Sequence, residues 1–335
     1  MKTIKANEIS FVVQGIAKHS YMKKALTSIR KYYPGAEIIL STWEGCDTQK
    51  LDYDIVIKSK DPGMQYLDED NKIPYNINRM LLSTQVGIQR ATRKYVMKLR
   101  CDMWIRGNEL LSYYDAFPKR DSQYVVSKNK IIVGSIFSLK YEQGETEKLY
   151  TPFHISDFYA FGLKEDIELL YQVPLVDLDT FARYFKTHEK PREYPVKAYE
   201  KRLWKFPPEQ YIVLEFAKRV LPDLQFEHCL DYESVPTEVN ERFIINNFII
   251  IDYQQSKIIS QKMLFRLWSN LLFCPERLWK GIYRNYVYLQ DYKKYLDQDY
   301  ELPQDKIAKR RKRYAWCRTM KDRIKPLAKW IMRLN

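Results

Sequence analysis

Short apolar runs alternate with amphipathic stretches through the first hundred residues. ISFVVQG (9–15) predicts a buried strand ending at Gly15, and residues 20–32 predict a helix with apolar positions Met22, Ala25, Leu26 and Ile29. A Pro-Gly turn leads into the strand of PGAEIILSTWEG (34–45), and YDIVIKSKDPG (53–63) predicts a third strand closed by a second turn. Residues 76–91 predict a long helix whose less polar positions are Ile77, Met80, Leu81, Thr84, Val86, Ile88 and Ala91, feeding a strand at Tyr95. This β-α-β-β-α-β succession favours an α/β fold with a mainly parallel sheet flanked by helices.

Further along, YVVS and KIIVGSIF (123–138) predict two more strands, and FHISDFYAFG (153–162) predicts an aromatic strand followed by the helix LKEDIELLY. PPEQYIVLEFAKRVL (207–221) opens with proline and carries an acid in its first turn, as a helix N-terminus prefers. FIINNFIIIDY (243–253) reads as a last strand-like run. Beyond Ser256 aromatic helical segments and basic residues dominate, which sets a soft boundary near 255 between an α/β domain (1–255) and a helical C-terminal segment (256–335). No repeat of 20 to 50 residues stands out.

The segment YVMKLRCD (95–102) carries the most chemistry. In α/β proteins ligands sit beyond the carboxyl ends of the strands, and this strand runs out into Arg100 and Asp102, with Lys98 two residues earlier on the same face. An aspartate there can hold a divalent cation or a nucleotide, and an arginine can face a phosphate, so the segment points to a nucleotide-linked substrate. The plain alternative is an exposed ion pair worth under roughly 1 kcal/mol. Other polar groups fall after strands or at helix starts: Gln14 and Gly15, then residues 41–44 with Thr42 and Trp43, then Asp61, and finally Asn76, Asn78 and Arg79. Each also suits an ordinary polar loop or helix cap, but together they fall where one crevice would form.

His154, Ser156 and Asp157 form a second group. Strand alternation puts His154 and Ser156 on one face and Asp157 on the other, unless the strand breaks. His154 is either a hydrogen-bonded core residue or a metal or phosphate contact. Asp157, flanked by Phe153, Phe158 and Tyr159, is the better catalytic candidate, because apolar surroundings raise a carboxylate's proton affinity and suit it to take a proton from a sugar hydroxyl. Glu209 in PPEQY is a second candidate base, with Gln210 beside it as an acceptor or phosphate contact; the helix macrodipole alone also explains an acid there.

GxGxxG and GxxxxGK[ST] are absent, which argues against dinucleotide oxidoreductases and P-loop NTPases; HExxH and GxSxG are absent too, and no NAD, flavin or haem is expected. The five scattered cysteines contain no CxxC pair, which fits a reducing, cytoplasmic compartment better than a disulfide framework. Neither a signal-peptide core nor an apolar run of about 18 residues is present, so neither secretion by an ordinary signal nor a membrane span is expected. The 27 tyrosines suggest amphipathic surfaces for flat or hydroxyl-rich ligands, although tyrosines also fill cores.

The blocks ISFVVQG, SIRKYYPGAEIILSTWEG, DPG (61–63), NINRM (76–80), ATRKYVMKLRCD (91–102), GSIFS (134–138), PFHISDFYAFGLKED (152–166) and PEQYI (208–212), in collinear order, resemble the WavE lipopolysaccharide-synthesis family of bacterial glycosyltransferase-like proteins. The resemblance runs over roughly residues 8 to 250 and does not take in the basic C-terminal segment. It implies a GT-A type nucleotide-sugar fold that builds surface glycans such as lipopolysaccharide core or capsule. It also implies that Asn76, Asn78 and Arg79 contact the nucleotide or diphosphate, with Asp157 or Glu209 on the acceptor side. The GT-A pattern places Asp-x-Asp at the strand end to hold Mn2+ or Mg2+, and here the stretch is Arg100-Cys101-Asp102. Only the second aspartate matches, so either Asp102 holds a cation or Arg100 replaces part of its charge.

Charge is concentrated in the tail. Residues 306–335 hold twelve Lys or Arg and one acid, leaving only +3 of the chain's net +14 for the rest. Trp316, Met320, Ile324, Leu327, Ile331 and Leu334 fall at spacings of 4, 4, 3, 4 and 3, one stripe of a basic amphipathic helix that Pro326 would kink. Such a helix suits an anionic bilayer surface, where lipid-linked acceptors reside, or else packs on the protein's own core. The expected protein is a peripheral enzyme at the cytoplasmic membrane face that takes a nucleotide sugar and a glycan or lipid-linked acceptor. A non-catalytic scaffold of the glycan pathway and a nucleic-acid-binding protein are the competing readings. The second is disfavoured because the charge is confined to the tail and no recognised nucleic-acid motif is present.

Overall fold

The computed structural model describes residues 4–16, 19–68, 73–143, 148–190, 202–260 and 283–303. The tail stripe of residues 316–334 lies outside them. Seven strands form the central sheet: β1 (Ile9–Gln14), β2 (Glu37–Trp43), β3 (Ile55–Ser59), β4 (Tyr95–Arg100), β5 (Ile131–Gly134), β6 (Tyr159–Leu163) and β7 (Phe248–Ile251). Their order is β7-β5-β6-β4-β1-β2-β3. All run parallel except β6, which pairs antiparallel with both β4 and β5. The α/β architecture with a mostly parallel sheet, expected from the alternation, is therefore what the chain adopts.

Continuous apolar runs make strands that are buried on both faces, and β1, β2, β5, β6 and β7 are buried at every position. Helix α1 (His19–Tyr32) turns Met22, Ala25, Leu26 and Ile29 inward, as its spacing predicts. Helix α2 (Ile77–Arg90) lies against β1 and β2. Its inward face is smaller and more polar than the apolar pattern suggests: Ser83, Thr84 and Gly87 are buried, whereas Met80 and Val86 are only partly covered. The close approach explains this, since a Cβ at Gly87 would stand 2.3 Å from Val12 Cγ1. The remaining longer helices are α3 (Lys164–Tyr171), α4 (Pro208–Ala217), α5 (Thr237–Asn247) and α6 (Asn285–Tyr295).

Four expectations need correction. YVVS is no strand, because Ser122–Tyr124 forms a 3-10 turn and Asn247 Oδ1 accepts from Val126 N and Ser127 N, taking donors a ladder would need. The strand expected over 153–162 begins only at Tyr159; Phe153 is in the left-handed region (φ 54°), so the chain is bent where alternation was assumed. The run 243–253 is divided, with α5 continuing to Asn247 and β7 beginning at Phe248, a junction that an all-apolar stretch does not mark. A hairpin, Gln65–Asp68 with Ile73–Tyr75, also stands between β3 and α2 where a turn alone was expected.

Residues 283–303 pack into the same core. Tyr283, Tyr288, Leu289 and Tyr292 are buried, α6 lies on α5 and β7, and Ile258–Ser260 pairs with Met103–Ile105. Lys140 ties the segment down, reaching Glu241 at 2.5 Å and Asp291 at 2.8 Å with all three buried.

Gly87→Ala tests the α2 contact. Alanine in a helix interior gains up to about 1 kcal/mol of propensity over glycine, but overpacking at the Val12 contact should outweigh it. A net loss of about 1–3 kcal/mol in urea unfolding is expected; a neutral or stabilised variant would contradict the packing.

Candidate functional site

The site forms at the carboxyl end of β1, β2 and β4. Register places Gln14 opposite both Ser41 and Arg100, so these three side chains share the face covered by α2. Gln14 is buried, and its Oε1 accepts from Ser83 Oγ at 2.8 Å. Past the strand, Gly15 takes φ +123° and donates to Ser41 O at 3.1 Å, while Cys101 N donates to Gln14 O at 2.9 Å. A side chain at Gly15 would meet Cys101 Sγ at 2.9 Å, so glycine lets the two strand exits lie side by side.

Arg100 closes a two-pronged pair on Asp102, Nε to Oδ1 at 3.1 Å and Nη2 to Oδ2 at 3.0 Å. Its guanidinium also lies 4.5 Å from the Phe158 ring centroid. Burial pulls the guanidinium's pKa down, but the charges of Asp102 and Asp157 outweigh it and leave the group firmly cationic. One rung deeper, Lys98 is fully buried and donates through Nζ to the main-chain oxygen of Asp157. Burial lowers its pKa to about 8 against the opposing pull of Asp157.

Asp157 sits where the chain turns into β6. Because β6 runs against β4, its start lies beside the end of β4: Arg100 N donates to Phe158 O at 3.3 Å. The Asp157 side chain is buried, yet among the described residues its Oδ1 has no hydrogen-bond partner. Glu209, in the first turn of α4, is partly buried; burial raises its pKa and the Asp157 charge raises it further, with Arg100 and Lys98 pulling the other way. Lys98, Arg100, Asp102, Asp157 and Glu209 thus form one electrostatic group. A buried carboxylate oxygen lacking a donor is costly unless a ligand supplies one.

Other candidates from the sequence have their side chains engaged elsewhere. Arg79 grips Asp61 (2.7 and 2.5 Å) and bonds Asn76 Oδ1 at 3.2 Å. Asn78 uses both ends of its amide on Val176, at 2.8 and 2.9 Å. Gln210 is buried and donates to Pro152 O at 2.8 Å. His154 is buried with Nδ1 3.0 Å from Phe137 O. Thr42 and Trp43 lie buried at the end of β2, with no partner for Thr42 Oγ1. Sequence reasoning passed over Ser83, which orients Gln14, and Tyr171, whose ring centroid is 5.5 Å from Lys98 Nζ. Ser83 lies on the inward stripe of α2 and was readable there, whereas nothing in the chain marks Tyr171.

For Mn2+ or Mg2+ the donor set fits poorly. Both Asp102 oxygens are taken by Arg100, and among the described residues no cluster of three His, Cys, Asp or Glu side chains could hold a cation. A cation at Asp102 would have to share the carboxylate with the positive charge of a guanidinium.

An α/β Rossmann-like protein with a charged crevice at its strand ends is the class defined by this geometry. Residues 9–316 match the family model described as WavE lipopolysaccharide synthesis, and the chain belongs to that family. The match continues past residue 250, where the resemblance in the sequence seemed to stop, and takes in α6. The chain's part is thus in lipopolysaccharide synthesis. Comparison with curated proteins found no match. No described helix is long and apolar enough to cross a membrane.

His154 gives this region a pH signature. Burial holds its pKa at about 4, below the ordinary 6.5, so the unfolded chain binds the extra proton in that window. Stability is therefore fully present above pH 6.5 and lost as pH falls towards 4, by at most roughly 3 kcal/mol. His154→Asn should flatten the change in melting temperature between pH 7 and pH 4.5; an unchanged slope would assign the acid sensitivity to other groups.

Proposed function

We propose that the protein is a glycosyltransferase that moves a sugar from a nucleotide donor to a growing surface glycan, lipopolysaccharide core or capsule, at the cytoplasmic membrane face. The observation that carries this reading is Asp157: a buried carboxylate with an unpartnered oxygen, set among Lys98, Arg100 and Glu209 at the strand ends. The family's role in lipopolysaccharide synthesis supports it.

In this reading the acceptor hydroxyl gives its proton to Asp157 as its oxygen bonds the anomeric carbon of the donor sugar. The bond from that carbon to the phosphate oxygen breaks, and its electron pair leaves on the nucleotide. Arg100 stands where that charge develops and stabilises it by charge-assisted hydrogen bonds, the part a cation plays in a site with two aspartates. Glu209, with its raised pKa, keeps its proton near neutral pH and donates a hydrogen bond to a sugar hydroxyl. Gln14 and Gly15 line the nucleotide side. The basic tail holds the enzyme to anionic lipid beside a lipid-linked acceptor.

A thermal-shift panel of UDP-, GDP-, CMP- and dTDP-sugars, with and without Mn2+, tests the proposal. One nucleotide class should raise the melting temperature of the wild type without Mn2+. Arg100→Ala should abolish that shift, and Asp102→Ala, which leaves Arg100 unheld before the donor arrives, should reduce it. Asp157→Asn should keep it while nucleotide release falls by about 10²–10⁴-fold. Silence of the folded wild type across the panel would overturn the reading in favour of a scaffold, and a shift that needs Mn2+ would overturn the role given to Arg100.

A further inference from the structure

Residues 152–158 are held from several sides. Gln210 donates to Pro152 O at 2.8 Å, Phe153 N donates to Asn240 Oδ1 at 2.8 Å, and Leu139 N donates to His154 O at 2.9 Å. Ser156 N donates to Ser138 Oγ at 3.0 Å, and Arg100 N closes on Phe158 O at 3.3 Å. All of these are bonds between neutral groups. The contact at Asp157 differs, because its carbonyl is held by the ammonium of Lys98.

Lys98 is an unusual choice for that task. It is 0% exposed, and among the described residues its one hydrogen-bond partner is that carbonyl; no carboxylate lies within ion-pair distance. Burying an ammonium costs several kcal/mol where no counter-charge offsets it, whereas a neutral donor would satisfy the carbonyl at far lower desolvation cost. The charge therefore acts beyond the bond. Lys98 lies level with Ala160 of β6 and one rung beneath Arg100, and its field reaches Asp157 and Glu209. Gln210 adds a second constraint, since the residue next to Glu209 is tied to the loop that carries Asp157.

We propose that Lys98 is a positioning residue for the acceptor-side carboxylates: it fixes the chain at Asp157 and sets a buried positive charge beside Asp157 and Glu209. Fully covered, it touches neither donor nor acceptor, unlike the nucleotide contact expected of it from the sequence. The inference rests on the reading of Asp157 as the base.

Lys98→Met keeps length and apolar bulk but removes the charge, and Lys98→Arg keeps the charge. Amide exchange over residues 152–160 should be at least tenfold faster in K98M than in wild type, and unchanged in D157N. Wild-type exchange in K98M would overturn the holding role. Should K98M not fold, the wild type itself reports: protection of these amides, corrected for intrinsic rates, should fall between pH 7 and 9 as Lys98 loses its charge, and flat protection overturns the proposal. With the four donor classes above, kcat for nucleotide release should fall about tenfold or more in K98M with KM unchanged, and be rescued in K98R, which keeps the charge. Wild-type kcat in K98M, or no rescue in a folded K98R, overturns the electrostatic role. Wild-type release by D157N would instead overturn the assignment of the base, and amide exchange would still report on Lys98.

Discussion

Strand β6 runs against both of its neighbours, and that reversal decides where the chemistry falls. Parallel strands all deliver their carboxyl ends to one edge of the sheet, and a strand running the other way must start at that edge. Strand β5 exits there at Gly134 and β6 enters there at Tyr159, so the connection between them leaves from and returns to the edge where β1, β2 and β4 end. The connection carries a two-stranded ribbon of its own, Tyr141–Gln143 paired with Lys148–Tyr150. Here the connection is pinned through Ser138, Asn240 and Gln210, and what it presents is the Asp157 carboxylate.

Three buried lysines show that burial of a charge does not by itself mark a site. Lys140 has two carboxylate partners and joins the segment containing α6 to the rest of the core, a structural role complete within the protein. Among the described residues Lys130 has no hydrogen-bond partner; it lies 4.6 Å from the Tyr292 ring centroid, and burial lowers its pKa to about 7. It precedes β5, at the edge away from the strand ends. Of these three, Lys98 is the one that combines burial with the carboxyl edge and with a loop whose carboxylate oxygen is unsatisfied among the described residues.

The fold was legible in the sequence wherever periodicity was strong. The first four central strands and the first two helices lie where the apolar runs and the 3- and 4-residue spacings put them. It failed where one apolar run serves two elements, as at Asn247 and Phe248, and where side chains from distant segments decide the backbone, as Asn247 does at Val126. Of the candidate residues, Lys98, Arg100, Asp102, Asp157 and Glu209 come together, because charged residues at a strand end and at a helix start both face the same edge. Arg79, Asn78, Gln210 and His154 were equally polar on paper, but each has a long-range partner that no local pattern reveals.

On the proposed reading, the Arg100 to Asp102 pair explains how the site takes up an anion. Two aspartates at the strand end would leave a double negative charge that needs a cation before a diphosphate can approach. An arginine and an aspartate are neutral together, and their side chains remain 29% and 19% exposed, so an arriving anion can reach the pair. A diphosphate offers the guanidinium the same planar two-pronged geometry with more charge. Arg100 can therefore exchange Asp102 for the donor, and the released carboxylate is left to accept a hydrogen bond from a hydroxyl of the same ligand. The pair holds the arginine in place before the donor arrives and gives it up on binding, which makes Asp102 a determinant of donor affinity even in a site that uses no metal.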